Sequence, residues 1–208
     1  MKIVRLMTDD FAPRPDEMDC QWKVYSFKRH HKHSVDKEKL LPPTIGLRRK
    51  LQVGLAFLLR YSEHGLCSWT TAGDQQDFDH ADGLLLWEYD PKEIGNKTYA
   101  DREKDADTFL ETFTCWCNGE CYGYRVQEEV TLPCGHTEVR DIPDASGFGY
   151  YGNDMDYMTS EVAHYVQGDE CRFEGDAEYL KNYHDFIGKK PEMPEKLTAP
   201  AAEACCHE

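Results

Sequence analysis

"ETFTCWCNGECYGYRV", residues 111–126, places three cysteines within seven positions around an Asn-Gly pair. Asn-Gly between alternating segments is a strong short hairpin signal, because both central residues of a type I′ turn need positive φ. On that reading Asn118-Gly119 joins two antiparallel strands. Cys117 then faces Glu120, Trp116 faces Cys121, Cys115 faces Tyr122 and Phe113 faces Tyr124. Side chains alternate along a strand, so Cys115 and Cys117 fall on one face and Cys121 on the other.

Downstream, "LPCGH" (132–136) adds Cys134 and His136. An unbroken second strand from Glu120 to Leu132 spans about 40 Å at about 3.3 Å per residue. The "PCGH" turn then reverses the chain into "TEVRDI". Zinc holds its ligands at about 2.0–2.3 Å, so sulfurs at opposite ends of this strand cannot share one ion. The Cys134-x-His136 spacing resembles a fragment of RING-type fingers, but only over five residues and without paired Cys-x-x-Cys spacings around it. A zinc-stabilised module built on Cys115, Cys117, Cys121, Cys134 and His136 is the alternative. It requires Gln127-Glu128-Glu129 to form an extra turn, and no Gly, Pro or Asn supports one. The expectation is therefore reduced structural cysteines, no metal and no cofactor.

The chain of 208 residues has 40% hydrophobic and 12% aromatic residues, enough to bury a core without staples. The start, "MKIVRLMTDDF", has neither secretory nor lipidation character, and no apolar run is long enough to cross a bilayer. Nine cysteines without a secretory signal read as thiols in a reducing, cytoplasmic setting. The expected organisation is a single α+β domain over residues 1–188 and a Pro/Ala/Glu-rich tail over 189–208.

Within that domain, Trp22, Val24 and Ser26 alternate with Lys23, Tyr25 and Phe27 in a strand over 21–29, and "LLLWEY" (84–89) is an apolar strand. Leu47, Leu51, Leu55 and Leu58 follow a helical stripe, which predicts a core helix from Thr44 to His64 stopped by Gly65. Thr98 with Asp101 three residues on predicts a capped helix through about Asp107. Further helices are expected over 154–167 and 177–187. The architecture expected is an antiparallel β-meander around 108–142 packed against the central helix, with acidic C-terminal helices.

The net charge of −15 is unevenly placed: residues 21–60 hold ten Lys/Arg against two acids, while 141–185 hold eleven acids against two Lys/Arg. A sided field of this kind selects a partner by charge unless the two blocks neutralise each other. The favoured reading is a non-enzymatic, cytoplasmic interaction or inhibitor protein. Its acidic C-terminal third docks a basic surface of a partner protein, such as a nucleic-acid-binding face, in the manner of a DNA mimic. Asp154, Asp156, Glu161, Asp169 and Glu170 are the candidate contact residues. The acidic balance argues against direct nucleic-acid binding, although His30, His31 and His33 lie among Lys28, Arg29 and Lys32. The enzymatic alternative is a metal-dependent hydrolase using Asp74, Asp77, Asp79, His80 and Asp82. "DASGFGYYGND" (144–154) reads as a tight, aromatic-packed connection.

Overall fold

Two four-stranded sheets organise the chain in a computed structural model that describes residues 1–18, 20–31, 34–37, 45–73, 78–166 and 168–175. In chain order the elements are β1 (Lys2–Thr8), β2 (Trp22–Ser26), α1 (Ile45–Gln52), β3 (Ala56–His64), β4 (Leu66–Thr71) and β5 (Gly83–Trp87). There follow α2 (Tyr99–Cys117), β6 (Cys121–Thr131), β7 (Thr137–Tyr151), α3 (Met155–Val166) and β8 (Cys171–Glu174). The first sheet runs β7-β6-β1-β8 and the second β2-β5-β3-β4. Named strand pairs are antiparallel except β1 with β8. The class is α+β, as expected. The predicted helix 177–187 and the tail lie outside the described residues.

The predicted 44–64 helix is corrected. α1 stops at Gln52, and Gly54, at φ +70°, supplies the left-handed residue that ends it. From there the apolar run alternates as a strand. Leu55, Phe57 and Leu59 enter one core with Trp22, Trp69, Leu85 and Trp87, while Ala56 and Leu58 enter another with Leu51, Ala81 and Leu84. A central strand buried on both faces reads as continuous hydrophobicity, which periodicity alone does not separate from a buried helix.

The hairpin expected at Asn118-Gly119 is corrected as well. Thr98 and Asp101 form the predicted capping box, but the helix continues well past Asp107, to Cys117. Ala106, Leu110 and Phe113 recur at helical spacing and are buried in the core of the second sheet. The helix ends in a Schellman motif: the Gly119 N–H bonds the Trp116 carbonyl at 3.1 Å, and the Glu120 N–H bonds the Cys115 carbonyl at 2.9 Å. Asn118 has φ −86°, not the positive value a type I′ turn requires, and Gly119 at φ +72° is the only left-handed residue of the pair. Residues 115 and 117 lie two apart on a helix, so their side chains diverge and do not share a face.

The actual hairpin is β6–β7. β6 continues without a break through Gln127-Glu128-Glu129, and the chain reverses at 132–136, where the Leu132 N–H bonds the His136 carbonyl at 2.7 Å. Residues 144–151, read as a connection, are the second half of β7, whose pairing with β6 shifts register twice. Val4, Leu6, Tyr124, Val126 and Ala145 on this sheet pack against Met158 and Val162 of α3.

Both edges of the second sheet are closed by side chains acting as a neighbouring strand would. On β2, Asp16 Oδ2 accepts the Val24 N–H at 3.0 Å and Arg14 Nη2 donates to the Val24 carbonyl at 3.1 Å. The two side chains are themselves paired at 2.6 Å, and Asp16 is buried. On β4, Asn118 Oδ1 accepts the Cys67 N–H at 2.8 Å while its Nδ2 donates to the Cys67 carbonyl at 3.0 Å. One helical turn earlier, Thr114 Oγ1 accepts the Trp69 N–H at 3.1 Å. The last turn of α2 thus runs along an otherwise open strand edge.

Asn118→Ala and Asn118→Asp are each expected to lower unfolding stability by about 1–3 kcal/mol in denaturant titrations, since either leaves a backbone group of Cys67 unpaired or repelled. A hairpin turn accepts Asp-Gly as readily as Asn-Gly. A near-neutral Asn118→Asp would therefore contradict the edge role.

Candidate functional site

Where α2 meets β4, a cavity of about 430 Å³ opens, lined among others by His31, Tyr61, Glu63, Cys67, Trp69 and Cys117. Its aromatic wall is a cluster of edge-on and tilted rings: His31 lies 4.7 Å from Tyr61 and 5.6 Å from Trp69, and Tyr61 lies 4.9 Å from Trp69, ring centroid to centroid. Ser26 Oγ shares a hydrogen bond with His31 Nδ1 at 2.9 Å, and burial pushes the His31 pKa down, so the ring favours its neutral form. The volume is in the range that holds a small molecule or one protruding side chain.

Asp82 holds this wall in place. It accepts the Tyr61 N–H at 2.9 Å and pairs with Lys28 at 2.7 Å, and the Lys28 ammonium sits 5.9 Å from the Tyr61 ring centre. Burial alone pushes the Asp82 carboxyl up, but Lys28, the Tyr61 N–H and Arg60 together outweigh it and hold it below the usual carboxylate value.

Two thiols meet on the floor. Cys67, from β4, and Cys117, from the last turn of α2, both line the cavity and lie near enough to influence each other's ionisation. Burial pushes both up, Cys117 to about 12 with the Cys67 sulfur adding to the effect. Trp69 is almost fully buried; its indole N–H makes no regular hydrogen bond but lies close enough to the Cys117 sulfur to favour the thiolate slightly. Neither thiol is an activated nucleophile at neutral pH.

The predicted acidic residues fall into two groups, Asp154, Asp156 and Glu161 along the first two turns of α3 and Asp169 and Glu170 beyond its C-terminal end; the 12 residues of the helix span about 18 Å. Asp154 closes a short 3-10 turn and Asp156 lies in the first turn of α3, where the helix dipole favours a carboxylate. Asp154 and Glu161 share a helical stripe with Tyr157, which is 61% exposed with its ring 6.0 Å from that of Tyr150. Asp156 projects beside that stripe. Tyr157 was missed in the sequence, although the spacing 154, 157, 161 was available. At the far end, Asp169 pairs with Lys2 at 2.7 Å, and that contact holds its carboxyl low. Asp169 and Glu170 join Glu128 and Glu129 around a hollow of about 280 Å³ beside Met1 and Lys2.

The described parts of the basic and acidic blocks belong to different sheets, and among the described residues no ion pair joins residues 21–60 to residues 141–185. Of the predicted hydrolytic loop, Asp74 and Asp77 lie outside the described residues. The Asp79 and His80 carbonyls accept bonds from Lys37 and Arg60, and Asp82 is committed as above. Cys121 and Cys134 are separated by the length of β6, roughly 33 Å for ten strand residues. Among the described residues, no three His, Cys, Asp or Glu side chains gather closely enough to hold one ion. No helix among them is long and apolar enough to cross a membrane. Comparison with protein-family models, curated proteins and solved structures gives no match.

Because the folded Asp82 pKa is lowered, its stabilising contribution is complete above the unfolded value of 3.8 and is lost as pH falls through the lower folded value. Asp82→Asn is therefore expected to lower the thermal midpoint at pH 7. The gap to the parent chain should shrink as pH drops from about 4 towards 2. A gap independent of pH would show that the carboxylate charge is not what matters.

Proposed function

We propose that this chain is a non-enzymatic interaction protein whose α3 face docks a basic surface of a partner protein. The observation that carries the reading is the segregation of charge, with carboxylates in excess of cations on the sheet that carries α3. β1 together with residues 120–175 contains twelve carboxylates against five Lys/Arg, and the described part of the basic block belongs to the other sheet. Tyr157 supplies what charge alone lacks: an exposed aromatic anchor flanked by Asp154, Asp156 and Glu161. Interfaces of this composition gain association rate and register from the carboxylates, and much of their affinity from the aromatic side chain. A partner face that ordinarily binds nucleic acid has the matching charge. A reducing intracellular setting agrees with the unpaired state of the described cysteines.

The test is capture by the immobilised chain from its native lysate at about 50 and about 500 mM NaCl, with the captured protein identified and its affinity measured. The expected partner is basic, is released at high salt, and binds the Asp154→Lys, Asp156→Lys, Glu161→Lys triple variant roughly tenfold or more weakly. Tyr157→Ala should weaken binding at both salt concentrations. Capture that ignores both salt and charge reversal would remove the proposal. Treatment with a chelator separates the zinc alternative, which predicts unfolding on metal removal, from the docking reading, which predicts an unchanged thermal midpoint.

A further inference from the structure

We propose that Cys67 and Cys117 form a dithiol redox site, closed to a disulfide by a peroxide-class oxidant and reopened by a small-molecule thiol. The pair is fifty positions apart in sequence, yet both side chains line the same open cavity and each influences the ionisation of the other. Their backbones are already fixed to each other, because Asn118, next to Cys117, holds both polar groups of Cys67, and Thr114 holds Trp69. Closing the bond therefore adds a covalent link where the edge strand and the helix are clamped non-covalently. This inference is independent of the docking face on α3.

Burial and the neighbouring Cys67 push Cys117 up to about 12, whereas the influence of Cys117 on Cys67 works against its rise, which makes Cys67 the sulfur that ionises first. Its thiolate attacks one peroxide oxygen, the O–O bond breaks, and hydroxide leaves to combine with the released proton as water. Cys117 then attacks the resulting sulfenic acid at sulfur. The S–OH bond breaks, and its hydroxide takes the Cys117 proton as a second water. Two electrons pass from the sulfurs to the peroxide oxygens, and the product is one disulfide and two waters. Glu63 on β3 and Glu120 beyond the helix oppose ionisation of Cys67; Arg14 and the Trp69 N–H favour that of Cys117, and burial outweighs both. The site consequently reacts slowly at neutral pH and faster as pH rises, unlike a low-pKa peroxide sensor.

The experiment treats the reduced full chain with hydrogen peroxide, then maps cysteines by differential alkylation and peptide mass. The expected product is a Cys67–Cys117 cross-linked peptide, lighter by two hydrogens than the separate peptides and reversed by dithiothreitol. Tryptophan fluorescence should fall in step, because Trp69 and Trp116 line the same cavity. Cys67→Ser and Cys117→Ser should each abolish the cross-link and the fluorescence change. Oxidation also raises the thermal midpoint by several degrees, since the bond closes a long loop. The mapping on the unmutated chain decides the matter even if a variant folds poorly. If Cys67 and Cys117 both remain alkylatable once the exposed Cys134 is oxidised, or if Cys67 is joined to another cysteine, the proposal is overturned.

Discussion

A β-sheet leaves a row of unpaired N–H and C=O groups on each outer strand, and the β2-β5-β3-β4 sheet is arranged around satisfying them. At one edge a buried Arg14–Asp16 pair takes both polar groups of Val24; at the other, Asn118 takes both polar groups of Cys67 and Thr114 takes the Trp69 N–H. These contacts determine much else. To place Asn118 opposite Cys67, α2 must stop at Cys117 in a left-handed cap, which sets the angle at which β6 departs. To place Arg14 and Asp16 on β2, the segment after β1 must cross between the sheets. There Trp116 Nε1 donates to the Ala12 carbonyl at 3.2 Å and Tyr151 Oη donates to the Pro13 carbonyl at 2.8 Å. The edge closures therefore also hold the two sheets together.

This arrangement limits strand addition at the sheet edges. The second sheet has little free backbone at its closed positions, so strand addition there would displace side chains already seated. The first sheet guards its β7 edge differently, with Glu138, Arg140, Asp141 and Pro143 along the strand, and its β8 edge by brevity. The docking face proposed above lies elsewhere, on the outer side of α3, where carboxylates surround an exposed tyrosine. The cavity beneath α2 is a separate feature. Its walls are rigid because Asp82, Ser26 and Asn118 each fix one of them through a backbone or ring contact.

The sequence was legible where a signal had one structural meaning. The Thr98-Asp101 capping box, the alternation of Trp22, Val24 and Ser26, the "PCGH" reversal and a helix over 154–167 all appear as read. It misled where one signal serves two structures. A left-handed glycine after Asn118 suits a type I′ turn and a Schellman cap equally, and only the preceding stripe of Ala106, Leu110 and Phe113 distinguishes them. Likewise the run from Val53 to Leu59 suits a buried helix or a central strand, and the short helix before Gly54 supplied just enough periodicity to favour the wrong one. The candidate site divided the same way. Acidic positions were visible as composition, Tyr157 was visible as spacing, and the meeting of Cys67 with Cys117 was invisible because nothing local links residues fifty apart.

Amide hydrogen exchange followed by NMR tests the central claim most directly. In β4 the amides of Leu66, Ser68 and Thr70 face β3, whereas those of Cys67 and Trp69 face outward. If side chains of α2 truly close this edge, Cys67 and Trp69 exchange about as slowly as their inward neighbours. Exchange at the rate of an open strand edge for those two amides, with Ser68 still protected, would contradict the account.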